Sequence, residues 1–198
     1  MCGKKVSNLL HGSKLVTVLG GVLALLTLAV SIADADRGQN LIAYVGIGLH
    51  IDDYELTEFW PTLWPEESET DTGIGGKLAL GTRLAGSLEF GFSLLQSFTG
   101  DNDLFELSPV VYLAQHVRIE DDMWLYVGPQ IGGTYYDFDD YGVDDFGFSA
   151  GALLGLRWSD IFVEYNFLWT DVDTHRSWRD VEGDLYTHKF LVGLRFEF

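Results

Sequence analysis

Eight segments of the chain alternate between apolar residues and polar or small residues, and this alternation constrains the fold more than any other feature. The segments are residues 41–51, 73–84, 87–98, 104–115, 123–136, 146–158, 161–170 and 185–198. Successive side chains of a strand point to opposite faces, so each segment is predicted to be a β-strand with one apolar face. Each is about ten residues long or slightly longer, which suits a tilted strand that crosses a membrane.

Alternation alone does not tell whether the apolar face points inward, as in a soluble sandwich or barrel, or outward into lipid. Three observations favour lipid. The apolar faces are unbroken, with aromatic residues near their ends, and the polar faces carry charges of both signs. Short connections, such as 83–86 and 158–160, alternate with long ones, such as 51–72 and 170–184, as in outer-membrane barrels. The sequence therefore predicts an all-β, eight-stranded antiparallel transmembrane β-barrel.

Charged residues on the polar faces are predicted to form a network that fills the barrel. They are Lys77, Arg83, Glu89, Glu106, Arg157, Glu164, Arg195 and Glu197. Eight strands leave an interior just wide enough for side chains, and buried charges need partners because breaking a buried pair is costly. We therefore expect a closed lumen, with Glu164 paired with an arginine such as Arg157, the inward base on the adjacent strand.

The N-terminal segment has the three parts of a secretory signal peptide. Lys4, Lys5 and Lys14 precede an apolar run at 15–30, and the small residues Ala33 and Ala35 follow it. The run is shorter than the roughly 20 residues that a spanning helix needs, which argues against the alternative of an uncleaved anchor. We predict a signal peptide over residues 1–35 and a barrel domain over residues 36–198.

The acidic balance of the chain excludes some partners. The net charge is −18, whereas nucleic-acid binding requires clustered Lys and Arg. Cys2 is the single cysteine and precedes the apolar run, so the sequence predicts neither disulfides nor a cysteine-based metal site. We expect no nucleic-acid partner.

The end of the chain, residues 188–198, carries the most specific resemblance to a known family. It alternates through Leu194, Phe196 and the terminal Phe198, and resembles the signal read by the outer-membrane assembly machinery. The whole mature chain resembles the small OmpA/OmpX-like outer-membrane β-barrels. That resemblance implies the outer membrane of a Gram-negative bacterium, contact with its lipid and lipopolysaccharide, and insertion by the assembly machinery. We expect a monomer. The family implies no single activity.

The predicted outer loops are strongly acidic. The third includes Asp137, Asp139 and Asp140. Carboxylates are the ligands that Ca²⁺ and Mg²⁺ prefer, so a loop-bound divalent cation, or one shared with lipopolysaccharide phosphates, is one interpretation. The other is a solvated, repulsive loop surface, since no segment matches an ordered calcium loop. We expect no other cofactor.

One set of residues suggests catalysis. His175 and Ser177 form a His-x-Ser triplet that is similar to that of lipid A deacylase barrels, and Glu182 is the candidate carboxylate. Trp178 and the carboxylate spacing depart from that family. We therefore expect a noncatalytic barrel that is structural or interacts through its acidic loops. An outer-leaflet lipid hydrolase is the alternative, and a small channel ranks lowest.

Overall fold

The computed structural model of the chain describes residues 41–60, 62–63, 67–99, 104–138, 143–176 and 179–198. The predicted signal peptide lies outside these residues. The strands are β1 (Leu41–Trp60), β2 (Thr62–Leu63), β3 (Glu67–Ala85), β4 (Leu88–Thr99), β5 (Leu104–Glu120), β6 (Met123–Phe138), β7 (Val143–Trp158), β8 (Ile161–Arg176) and β9 (Arg179–Glu197). Among the described residues, no helix is long and apolar enough to cross a membrane.

The strands form one closed antiparallel sheet. From β3 to β9 each strand pairs with the next, β1 pairs with β3, and β1 also pairs with β9. The two-residue β2 pairs with the tip of β1, so eight strands make the wall. The predicted eight-stranded antiparallel barrel is confirmed.

One face of every strand is apolar and points outward. Ile47, Leu49, Val163 and Val192 are between 51% and 66% exposed, which places the apolar face on the outside of the barrel. Outward aromatic residues lie towards both ends of this band. They are Tyr135, Phe146, Phe148, Trp169 and Tyr186 at one end and Trp158, Phe196 and Phe198 at the other. A closed barrel with an apolar outer band and aromatic girdles is the architecture that spans the outer membrane.

The two ends of the barrel differ. At one end, called the turn end here, Leu41 and Glu197 lie at strand termini and β3–β4, β5–β6 and β7–β8 are joined by two-residue turns. Gly86 has a φ of +49° in the first of these turns, a conformation that favours glycine. The opposite end, called the loop end, holds the other connections.

The strands are longer than the alternating segments that predicted them. Residues 52–60 extend β1, 171–176 extend β8 and 179–184 extend β9, where the sequence favoured long loops. β1 has 20 residues, about twice the length that a tilted strand needs to cross the membrane. The wall therefore continues beyond the lipid at the loop end.

Inward side chains fill the barrel in layers. A buried apolar cluster includes Tyr44, Tyr112, Tyr126 and Phe162, and a second cluster towards the loop end includes Tyr136. Buried hydroxyl and charged groups, such as those of the serines, threonines and Glu106, lie on the same inward faces. Polar groups thus share the lumen with two apolar clusters.

Candidate functional site

The carboxylate of Glu164 is the centre of one buried group in the lumen. The Lys77 ammonium lies 2.5 Å from its Oε1, the Tyr126 hydroxyl donates to Oε2 at 2.8 Å, and Asn166 Nδ2 donates to Oε1 at 2.6 Å. The Lys77 ammonium also lies 5.5 Å from the ring centre of Tyr44. Its charge is therefore neutralised by one carboxylate and faces an aromatic ring.

A second buried carboxylate, Glu89, is bound in the same manner. The hydroxyls of Tyr44 and Tyr112 donate to it at 2.9 and 2.8 Å, and His116 Nε2 lies 3.2 Å from its Oε2. Tyr112 can approach because Gly91 lines the wall there, where an added Cβ would lie 2.4 Å from the ring. Gly91 thus leaves the space that the ring of Tyr112, a donor to Glu89, occupies.

The third buried carboxylate, Glu106, pairs with a residue that the predicted network omits. Lys189 Nζ lies 3.1 Å from its Oε2, and the Thr187 hydroxyl donates to Oε1 at 2.8 Å. His50 Nε2 lies 2.9 Å from Asp52 Oδ2, with both side chains fully buried. In the alternating sequence, Lys189 lies on the same face as the inward Arg195, and His50 lies on the same face as the inward Tyr44. The alternation could therefore have predicted that both side chains point into the lumen.

Arginines gather at the turn end of the lumen. Arg195 Nη1 donates to Glu197 Oε2 at 2.9 Å, and Arg83 Nη1 lies 3.3 Å from Glu197 Oε1. The guanidinium of the buried Arg157 lies 5.3 Å from the ring centre of Trp124. Arg83 and Glu197 are about one-third exposed, so they form the mouth, whereas Arg157 and Arg195 are buried.

The eight charges of the predicted network therefore all lie on inward faces of the barrel, but in separate groups. Glu164 pairs with Lys77, and the expected pairing of Glu164 with Arg157 is wrong. β8 and β3 are not neighbours in the wall, so this ion pair crosses the lumen.

Carboxylates also cover part of the outer surface. Beyond the aromatic girdle, β1, β8 and β9 present the outward side chains of Glu55, Asp171, Asp173, Glu182 and Asp184, called the acidic wall here. The last four line a surface depression of about 480 Å³. Asp171 lies directly opposite Asp184 in the sheet, and Asp173 opposite Glu182. Like charges directly opposite one another on one face of a sheet repel.

The acidic wall is joined to the girdle beneath it. Trp169 Nε1 donates to Asp184 Oδ1 at 2.7 Å, and the Tyr186 hydroxyl donates to Asp184 Oδ2 at 3.5 Å. Indole and phenol groups of membrane barrels lie at the level of the lipid headgroups. The acidic wall therefore begins at the headgroup layer.

The predicted loop and catalytic residues are only partly within the described residues. Asp137 lies in β6, opposite Phe105 and Asp144, and Asp139 and Asp140 lie outside the described residues. His175 lies near the tip of β8, opposite Asp180, and Glu182 belongs to the acidic wall. Ser177 lies outside the described residues, and the hydrolase alternative stays a prediction.

The C-terminal residues lie where the assembly signal was expected. Leu194, Phe196 and Phe198 are 49%, 43% and 49% exposed, so this apolar row faces outward at the turn end. An accessible apolar row is what the assembly machinery would need to recognise. Its recognition stays a prediction.

Comparisons with known proteins agree on the fold. The sequence matches no family model, and no curated protein is significantly similar to it. Neisserial surface protein A is a similar solved structure, with a TM-score of 0.51 and 13% identity over 77% of this chain and 97% of that chain. The outer-membrane protein OprG from Pseudomonas aeruginosa has a TM-score of 0.51 and 12% identity, over 80% and 97%. The chain thus has the fold of the small outer-membrane β-barrels.

Proposed function

We propose that this protein is a noncatalytic outer-membrane barrel that acts through its acidic wall, which binds the lipopolysaccharide headgroup layer through shared divalent cations. The filled lumen supports an action at the outer surface, since the described side chains pack the interior with ion pairs and aromatic rings. The acidic wall begins at the headgroup level, where lipopolysaccharide phosphates also lie.

The observation that carries this proposal is the register of β8 and β9. It sets Asp171 opposite Asp184 and Asp173 opposite Glu182, and Asp184 is also opposite Glu55 on β1. Carboxylates directly opposite one another repel, and cations between or beside them lower that repulsion. Ca²⁺ takes six to eight oxygen ligands and Mg²⁺ takes six. Carboxylates and phosphates can supply these oxygens together.

The proposed cations are shared with lipid because the described residues alone contain no group of three or more Asp, Glu, His or Cys that could hold a metal ion. Lipid phosphates would complete the coordination. The protein would thereby stabilise the lipid around it and be stabilised in turn.

The test compares thermal unfolding of the barrel in lipopolysaccharide vesicles and in phosphatidylcholine vesicles, with Ca²⁺ or with EDTA. We expect Ca²⁺ to raise the unfolding midpoint only when lipopolysaccharide is present. Replacing Asp171, Asp173 and Asp184 by Asn and Glu182 by Gln should remove most of that rise.

A matched control replaces the turn-end acids Asp121, Asp122 and Asp160 by Asn. This variant loses three charges far from the acidic wall and should keep the full Ca²⁺ response. An equal response in the acidic-wall variant, or an equal response in phosphatidylcholine, would refute the proposal.

A further inference from the structure

The turn end of the lumen has an excess of buried positive charge. Three inward guanidiniums, those of Arg83, Arg157 and Arg195, lie near two inward carboxylates: Glu197, which pairs with Arg83 and Arg195, and Glu89, which is directly opposite Arg83 in the sheet. With three arginines and two glutamates, the group carries a formal net charge of about +1 in a chain whose net charge is −18.

Part of this group has no acceptor among the described residues. The Nε and Nη1 atoms of Arg157 are buried and donate to no described residue, and the same holds for Nε and Nη2 of Arg195. The two residues are only 6% and 3% exposed. Buried guanidinium N–H groups without acceptors are costly, so these donors point to a further anionic partner.

The guanidiniums are held in place before any ligand binds. Arg157 lies over the Trp124 ring, and Arg195 lies 5.9 Å from the ring centre of Tyr44, whose hydroxyl donates to Glu89. Cation–π contacts of this kind fix a planar guanidinium while leaving its edge free to donate. The exposed mouth residues Arg83 and Glu197 leave access from the turn end.

We propose that Arg157 and Arg195 form a phosphate-binding site at the turn end of the lumen. Their unpartnered edges offer several N–H donors, which suits a group with three or more acceptor oxygens better than it suits a carboxylate. A phosphate monoester carries a charge between −1.5 and −2 at pH 7, which is opposite in sign to the excess charge of this group. The source is free phosphate on the turn-end side or the phosphate headgroup of a lipid.

On the loop-end side of the arginines, buried ion pairs and aromatic rings fill the lumen. The phosphate site therefore does not extend further into the barrel. Tyr44 and Phe162 pack edge to face with ring centres 5.5 Å apart, and Lys77 pairs with Glu164 beside them. A phosphate would therefore bind at the mouth without passing through the barrel. This site lies at the opposite end from the acidic wall and does not depend on the function proposed above.

The experiment titrates inorganic phosphate into the full barrel in a zwitterionic detergent, at constant ionic strength set with chloride, and follows the unfolding midpoint. We expect a saturable rise, because a ligand that binds the folded state stabilises it. Arg157→Gln should weaken the apparent affinity about tenfold or more, as expected for the loss of a charge-assisted hydrogen bond. Arg179→Gln, which removes an arginine from the loop-end start of β9, should leave the affinity unchanged.

A second measurement on the unmodified protein covers the case in which Arg157→Gln does not fold. The Nε–H resonances of Arg157 and Arg195 in nitrogen-15-labelled protein should shift with phosphate and saturate at the same phosphate concentration as the unfolding midpoint.

Vesicles of phosphatidic acid, with phosphatidylcholine as reference, distinguish the two sources of phosphate. A headgroup site responds to the phosphatidic acid, and a site for the free ion responds to dissolved phosphate. A midpoint that follows ionic strength alone, equal affinities in Arg157→Gln and Arg179→Gln, or resonances that respond to neither source would overturn the proposal.

Discussion

Three buried carboxylates in this lumen, those of Glu89, Glu106 and Glu164, are each stabilised by several donors from other strands. Glu164 on β8 accepts from Lys77 on β3 and from Tyr126 on β6, which ties three non-consecutive parts of the wall together. A buried ion pair need not add net stability relative to an apolar pair, but a broken one leaves an uncompensated charge. The cost of losing a single partner is therefore high.

We predict that Glu164→Gln lowers the free energy of unfolding by about 3–5 kcal/mol, because the Lys77 ammonium would remain buried without a counter-charge. Urea unfolding of the barrel in detergent, followed by Trp fluorescence, measures this loss. The added substitution Lys77→Met should restore part of it, since both charges are then absent.

The control for this prediction is Glu120→Gln, which removes an exposed carboxylate at the end of β5 and should change stability little. A double-mutant cycle distinguishes the partners, with coupling expected between Glu164 and Lys77 and little between Glu164 and Arg157. Equal midpoints for Glu164→Gln and the unmodified protein would show that the pair does not stabilise the barrel.

A glycine in the wall makes room for one of these donors. A Cβ at Gly155 would lie 2.1 Å from Cζ of Tyr126, whose hydroxyl donates to Glu164. We predict that Gly155→Ala destabilises the barrel by about 1–3 kcal/mol through overpacking. At Gly76 the nearest atom to an added Cβ is 3.7 Å away, so Gly76→Ala should unfold at nearly the same urea concentration as the unmodified protein. A similar loss in both variants would contradict the role of Tyr126.

The parity of the alternating residues predicts which side chains point inward, and it correctly does so for Lys77, Glu89 and Glu164. It does not predict their partners, because the stagger of the strands around the barrel decides which inward residues meet across the lumen. Adjacency along the chain suggested Arg157 as the partner of Glu164, whereas the stagger brings Lys77 to it.

At the scale of the strands, the alternation predicts the membrane-crossing part and misses the extensions. The outward apolar residues of β8 end at Trp169, and Asp171 and Asp173 continue the strand with polar outward side chains. Outside the lipid, the outward face no longer needs to be apolar, so the hydrophobic signal stops while the strand pairing continues. An acidic, Gly-containing stretch of this kind is typical of a loop, which explains the error.

We predict that Asp171→Asn stabilises the barrel by about 0.2–1 kcal/mol at low ionic strength in EDTA, because Asp171 faces Asp184 across the β8–β9 pair. At 1 M salt the Debye length falls to about 3 Å, so the gain should largely disappear. Urea midpoints at the two salt concentrations measure the difference. Asp160→Asn, at the exposed β7–β8 turn, should show no such gain, and a salt-independent effect of Asp171→Asn would contradict electrostatic repulsion.

At the scale of the whole barrel, the lumen at the turn end and the outer surface at the loop end carry charges of opposite sign. The turn end holds the arginines of the lumen, and the wall beyond the loop-end girdle holds the carboxylates of the acidic wall. Between them, two apolar clusters, which include Tyr126 and Tyr136, lie at different depths of the lumen. With two layers in series, one layer would still fill the lumen if the other fluctuated.

We predict that the protein reconstituted in planar lipid bilayers shows no stable ionic current above the bilayer background. The lumen of an eight-stranded barrel has little free cross-section, and the Lys77–Glu164 pair and the tyrosine rings occupy it. Truncating one layer, as in Tyr136→Ala, should leave the current at background because the other cluster still blocks the path. Truncating both, as in Tyr136→Ala with Phe162→Ala, should give small, brief currents if the variant folds.

An open porin in the same bilayers checks the recording, and heat-modifiable migration on gels checks that each variant is folded. A large, stable conductance of the unmodified protein would show that the interior opens, and the description of the lumen as filled would then be wrong.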